Sequence, residues 1–260
     1  MTQNCCSDGW YEKDVPVGHP DFAKLFLCDC PKGQAIKARR AQRVMGKCLI
    51  PDTQTTMTFA SFYPQHAVPL KFPDPTDKSF EANRIRRRIH ALDGKGLASH
   101  VQKIKGIAQA YAANPHDFLT FLGEPGCGKT HLAAAIANQC AAQSMVVSFA
   151  VVPDLLDALR STFDKKSRVR YADLLDAYKN ADLLILDDIG SEQSTEWALE
   201  KLYQIINWRY NERLPLVITT NEVPLHFDPR LHSRLFDQRN QTLELLAGDY
   251  RLKGKARKAA

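Results

Sequence analysis

From Phe118 onward the chain alternates short, almost continuous apolar runs with longer amphipathic stretches. Phe118–Leu122, Met145–Val151, Leu183–Leu186 and Leu216–Thr220 have the length and side-chain types of strands. Thr130–Gln143 and Thr195–Tyr210 carry apolar residues at helical spacing, and two further helices are predicted between Pro153 and Tyr178. Strands alternating with helices predict an α/β fold, a parallel sheet flanked by helices. Upstream, Ile85, Ile89, Leu97, Val101, Ile104 and Ile107 predict helix within residues 79–113. Between these regions Pro51, Pro64, Pro69, Pro73 and Pro75 interrupt regular structure. The chain therefore divides into a cysteine-bearing head (1–50), a proline-rich linker (51–78), a main domain (79–253) and a basic tail (254–260). There is no internal repeat.

Composition narrows the class. Of 260 residues, 44% are hydrophobic and 25% charged, which argues against a disordered or fibrous chain. No apolar run approaches the ~18 residues of a membrane span, and MTQNCCSDGW lacks a signal-peptide pattern. Seven cysteines, with Cys48, Cys127 and Cys140 isolated, fit a reducing compartment better than a disulfide framework. A cytoplasmic protein without a membrane partner is expected. The formal charge of +6 is concentrated in residues 31–51, in Arg84, Arg86, Arg87 and Arg88, and in residues 251–260. Each cluster alone fits a solvated surface equally well; three together favour an anionic partner such as nucleic acid.

The strongest chemical signal is Gly123-Glu124-Pro125-Gly126-Cys127-Gly128-Lys129-Thr130, which fits G-x-x-x-x-G-K-[ST] between a predicted strand and a predicted helix. Gly123, Gly126 and Gly128 are expected to turn the backbone with positive φ and bring its N–H groups against phosphate oxygens. The following helix directs its positive end at the same anion. Lys129 is expected to reach the β- and γ-phosphates of ATP, and the Thr130 hydroxyl to ligate Mg²⁺.

Leu183–Leu186 runs into two adjacent carboxylates, Asp187 and Asp188. Ligands of open parallel sheets sit at the carboxyl ends of strands. Asp187 is therefore expected to hold the metal, directly or through water, and Asp188 to orient or deprotonate the attacking water. Leu216–Thr220 ends similarly at Asn221, whose amide both donates and accepts hydrogen bonds. Arg234 follows on a predicted helix. In isolation Asn221 reads as a turn residue and Arg234 as a surface arginine.

Taken in order, these motifs resemble the AAA+ ATPases of the DnaC/DnaI helicase-loader type, with the IstB-type transposition helpers as a sister group. MTFASF (57–62), GKTHLAAAIA (128–137), ADLLILDDIG (181–190), TEWALEKLYQIINWRYNERLPLVITTN (195–221), RLHSRL (230–235) and GDYR (248–251) carry the resemblance. It implies an AAA+ P-loop core without a C-terminal helical lid, since only 39 residues follow Asn221. It further implies that Asn221 is the sensor-1 position, that Arg234 is an arginine finger reaching the ATP of a neighbouring subunit, and that Arg251 is a second phosphate sensor. Asp188 stands where many relatives have Glu, implying a slow hydrolase suited to a timing switch. The helices between Pro153 and Tyr178 resemble the insertion that contacts single-stranded DNA, and Lys165, Lys166, Arg168 and Arg170 supply the basic groove such contact requires.

In the head, Gly9-Trp10, Val15–Phe22 and Cys28-Asp29-Cys30 match related phage and mobile-element loaders, whereas Cys5 and Cys6 are adjacent instead of spaced. Cys5, Cys6, Cys28 and Cys30, with His19 as a substitute, either bind Zn²⁺ or form a metal-free head. By the same resemblance this head docks on the replicative hexameric helicase. Three functions are weighed: an ATP-dependent helicase loader on single-stranded DNA, which the cysteine head favours; an IstB-type helper acting on target DNA; and a small-molecule kinase, which Asn221 and Arg234 disfavour.

Overall fold

The strands form where apolar runs are buried on both faces, which is what a parallel sheet covered by helices demands. The computed structural model describes residues 10–12, 15–16, 25–28, 30–34, 49–70, 76–78, 83, 96–164, 170–190, 195–221 and 228–251. In the head, β1 (Trp10–Glu12) pairs antiparallel with β2 (Leu25–Leu27). The main body then runs α1 (Gly96–Ala113), β3 (Phe118–Gly123), α2 (Lys129–Ala142), β4 (Val147–Val151), α3 (Val152–Ser161), α4 (Tyr171–Asn180), β5 (Leu183–Ile189), α5 (Glu196–Asn211), β6 (Leu216–Thr220), α6 (Pro229–Leu235) and β7 (Gln241–Leu245).

All pairings among β3 to β7 are parallel, in the order β4-β5-β6-β3-β7. Successive residues of each strand enter opposite cores. Leu119, Phe121, Val147, Phe149, Leu183, Ile185 and Val217 face α1 and α2. Phe118, Ala150, Leu184, Leu186, Leu216 and Ile218 face α3, α4, α5 and α6. The alanine run of α2 (Ala133 to Ala137) is buried throughout, so its backbone lies close to the sheet. α5 begins where the Thr195 hydroxyl accepts the N–H of Ala198, an N-cap.

Two features differ from the sequence expectations. Residues 51–70 contain a helical turn at Asp52–Thr55 and a 3-10 turn at Pro64–His66, and Phe59 and Phe62 are buried in the same core as α1 and α2. The prolines break long elements there, yet the aromatic pair docks the segment onto the main body. β7 was not predicted, because Gln241-Thr-Leu-Glu-Leu is an edge strand with its first two residues exposed and no continuous apolar run. Of residues 79–95, only Asn83 lies among those described. No helix among the described residues is long and apolar enough to cross a membrane.

Candidate nucleotide site

β6 lies between β3 and β5, so the loop after β3, the end of β5 and the end of β6 meet at one edge of the sheet. Gly126 (φ 74°) and Gly128 (φ 107°) hold left-handed conformations in the loop. A Cβ at Gly126 would overlap the Asp249 carboxylate, and one at Gly128 would lie 2.9 Å from Phe62. Gly123 has no positive φ; it ends β3, and a Cβ there would lie 2.7 Å from the Leu245 carbonyl oxygen. Its small size serves the close approach of β3 to β7, a correction to the positive φ expected of it.

Lys129 is only 6% exposed, and its ammonium donates to the carbonyls of Gly123 and Glu124 (both 2.9 Å) and to Asn221 Oδ1 (2.6 Å). These three oxygens match its three N–H donors, with Cys127 Sγ a longer fourth contact at 3.9 Å. The Asn221 amide is oriented by the same contacts: its oxygen faces a group that can only donate, and its Nδ2 donates to Asp188 Oδ1 at 2.9 Å. A bound phosphate would compete with neutral carbonyls for Lys129 and would win on charge.

The Thr130 hydroxyl lies 3.0 and 3.2 Å from the two Asp187 carboxylate oxygens. Burial raises the Asp187 carboxyl above the usual range, opposed by hydrogen bonds from Thr219 and Thr130. A hydroxyl converging with a buried carboxylate is a hard oxygen donor set that fits Mg²⁺. Among the described residues, no group of three or more His, Cys, Asp or Glu side chains is arranged to hold a metal ion. Cys28 is buried and Cys30 half-buried at the end of β2, where their sulfurs accept N–H groups of Cys30 and Gly33. Cys5, Cys6 and His19 lie outside the described residues, and zinc has no support from those that are described.

A cavity of about 510 Å³ adjoins the loop, lined among others by Met57, Phe62, Tyr63, Val68, Tyr250 and Arg251. Its walls come from the docked 51–70 segment and from the end of the main body. His131 Nε2 donates to the Thr58 carbonyl (3.0 Å), and Phe62 packs edge-on against the His131 ring. The Tyr250 N–H donates to the Gly126 carbonyl (3.1 Å). Sequence reasoning missed Phe62, His131 and Asp249 as parts of the site, although MTFASF, GKTHLAAAIA and GDYR contain them. Cys127 is buried in the loop, and burial raises its thiol above the ordinary range.

The remaining expected residues lie apart from this network. Arg234 donates to Asn207 Oδ1 (3.0 Å) and Ser233 Oγ (3.0 Å), and its guanidinium stacks over Tyr210. Arg251 lines the cavity but is bonded to Asp249 (3.0 Å). Arg170 precedes α4 and pairs with Asp173 (2.8 Å); Lys165, Lys166 and Arg168 are outside the described residues. Beside that segment Phe163 is 63% exposed and stacks on Tyr171 (centroids 5.5 Å, 20°), with Lys201 over the other ring of the pair.

A phosphate-binding loop on β3, paired carboxylates on β5 and a polar amide on the intervening strand define a P-loop nucleotide-binding protein. Residues 95–240 match the model of the IstB-like ATP binding protein family. The chain belongs to this DnaC/IstB group of AAA+ ATPases. It is 28% identical over 149 residues to the replicative helicase loader DnaC of Escherichia coli (strain K12), covering 57% of this chain and 60% of that one. It is 30% identical over 151 residues to the phage-like element PBSX protein XkdC of Bacillus subtilis (strain 168), covering 52% of this chain and 54% of that one. The chain thus spans little more than half the length of these relatives. The crystal structure of DnaI shares the fold, with a TM-score of 0.51 at 21% identity over 82% of this chain and 100% of that one.

Proposed function

We propose that this protein is an ATP-hydrolysing helicase loader that binds single-stranded DNA and a replicative hexameric helicase, with hydrolysis as the release switch. The observation that carries this reading is the chain of contacts Lys129–Asn221–Asp188, which links the phosphate loop to a carboxylate able to orient water. ATP would exchange its phosphates for the carbonyls around Lys129, and Thr130 and Asp187 would hold Mg²⁺, which supplies charge neutralisation at the terminal phosphates. Asp188 and Asn221 then orient the attacking water, and Asp188 accepts its proton. Arg234, from a neighbouring copy, is assigned to the charge that develops on the transferred phosphoryl group, so turnover depends on self-association. Arg251 is assigned a phosphate-sensing role once released from Asp249.

The DNA contact is assigned to Lys165, Lys166, Arg168 and Arg170. Exposed Phe163, stacked on Tyr171 beside them, supports it, because an accessible aromatic face next to a basic segment suits unstacked bases. The match to the IstB-like family supports the second reading, a transposition helper acting on duplex target DNA. The test is co-purification of the protein with the replicative helicase of its host in ATP and in ADP. The loader reading requires helicase retained with ATP and released with ADP. Equal retention in both, or capture of a transposase but no helicase, refutes it.

A further inference from the structure

In a regular strand Asp187 and Asp188 would point to opposite faces of the sheet. β5 avoids this by a change of register. Leu186 pairs with Ile218 and Ile189 with Thr220, so two residues of β5, Asp187 and Asp188, lie opposite the single residue Thr219. This is a β-bulge, a device that re-aims side chains. Asp188 adopts φ 62°, a left-handed conformation that aspartate tolerates better than most residues. Both carboxylates consequently reach the nucleotide site: Asp187 meets Thr130, and Asp188 meets Asn221, itself bonded to Lys129.

Thr219 touches both halves of the bulge. Its hydroxyl donates to Asp187 Oδ1 at 2.6 Å and accepts the backbone N–H of Asp188 at 2.8 Å. The side chain is 1% exposed, so water cannot stand in for it. The bulge takes the Asp188 N–H out of the regular ladder, and a buried N–H needs a partner. The same hydroxyl fixes the rotation of the Asp187 carboxylate, whose lone pairs must face Thr130.

We infer that Thr219 is a positioning residue for ATP hydrolysis, bracing the bulge that turns two consecutive aspartates into one site. This rests on the ATPase reading of that site. Thr219 reaches neither nucleotide nor water; it acts through Asp187 and Asp188. A hydroxyl is required, and a methyl of the same shape does not replace it.

The test compares Thr219→Val, which keeps the shape, with Thr219→Ser, which keeps the hydroxyl. Four quantities are read: thermal midpoint, affinity for a fluorescent ATP analogue without divalent metal, Mn²⁺ affinity of the nucleotide complex by electron paramagnetic resonance, and kcat and KM with single-stranded DNA present. In Thr219→Val the metal-free nucleotide affinity stays within about twofold, while Mn²⁺ affinity and kcat each fall at least about tenfold, the range for partners that orient metal ligands. KM changes little, and Thr219→Ser recovers both losses to within about threefold of the parent. Wild-type Mn²⁺ affinity and kcat in Thr219→Val overturn the inference, as does a serine variant as impaired as the valine one. Should the valine variant not fold, Thr219→Ala is compared with serine in the same way. If instead the parent protein shows no metal-dependent nucleotide binding and Lys129→Ala changes nothing, the ATPase reading itself fails.

Discussion

The largest fully buried side chain among the described residues is an arginine. Arg209 is 0% exposed, and its guanidinium donates to the carbonyls of Tyr178, Lys179 and Ala181 at the end of α4 and to Pro215 just before β6. Burial draws its guanidinium down to about 10, so it remains charged at neutral pH. A cation at a helix C-terminus complements the helix dipole and satisfies carbonyls that the helix itself leaves open. Arg209→Met removes the hydrogen bonds that two guanidinium nitrogens make to four carbonyls, and the unfolding free energy in urea should drop by about 3 kcal/mol. Lysine should recover only part of the loss, since one ammonium cannot span α4 and the Pro215 carbonyl as a planar fork does. Nucleotide affinity should stay unchanged, and a variant with full stability would show that solvent reaches those carbonyls. None of this was legible in TEWALEKLYQIINWRYN, where an arginine on a charged helix reads as solvated. By contrast Lys129, Thr130, Asp187 and Asn221 were legible, because phosphate chemistry constrains residue type and spacing together. What spacing did not reveal was that Thr219 and a bulge make Asp188 usable.

At the scale of elements, the last quarter of the main body repeats one small clamp. In Asp228-Pro229-Arg230, Asp237-Gln238-Arg239 and Asp249-Tyr250-Arg251 the carboxylate accepts both the N–H and the side chain of the arginine two residues on. Each arginine is thereby neutralised by its own aspartate, at the start of α6, between α6 and β7, or after β7. Arg234, within α6, donates to Asn207 and Ser233 and stacks over the Tyr210 ring. Among the described residues none of these partners is a carboxylate, and the finger role is the one that the resemblance implies. Arg234→Ala should retain ATP binding yet lose about a thousandfold in turnover by the assembled protein. The decisive measurement mixes it with Lys129→Ala. Neither variant should hydrolyse ATP alone, but together they should, because the lysine variant still offers Arg234 to its neighbour's intact site. A mixture as inactive as its components would remove the role in trans. The helix carrying Arg234 and its order after β6 were readable from sequence. The clamps and β7 were not, since both depend on short-range geometry and an edge position, and neither leaves a hydrophobic period.

Across the whole molecule, the site is closed by segments nearly two hundred residues apart, the arm at Phe59 and Phe62 and the Gly248–Arg251 turn, which meet where Gly248 N–H bonds the Val68 carbonyl at 2.7 Å. The clamps thus bear on global stability as well as on local charge. The Asp228 and Asp249 carboxyls are held below the ordinary 3.8 chiefly by the guanidinium groups of Arg230 and Arg251, and Asp237 chiefly by the Arg239 N–H. A carboxyl whose folded value lies below its unfolded value contributes stability above the unfolded value, and loses that contribution as pH falls through the folded one. Asp187 has the opposite sign: burial raises it, so the cost of its buried charge is felt above the raised value and disappears on protonation. Replacing Asp228, Asp237 and Asp249 together by Asn keeps acceptors of the same shape while removing the charge. The urea midpoint of that variant should lie below the parent's at pH 7, and the gap should narrow as pH falls below about 4. Because all three pairs are exposed, the gap should also shrink in concentrated salt. A gap that is constant from pH 7 down to the acid transition would mean that the amide's geometry, and not the lost charge, accounts for the difference.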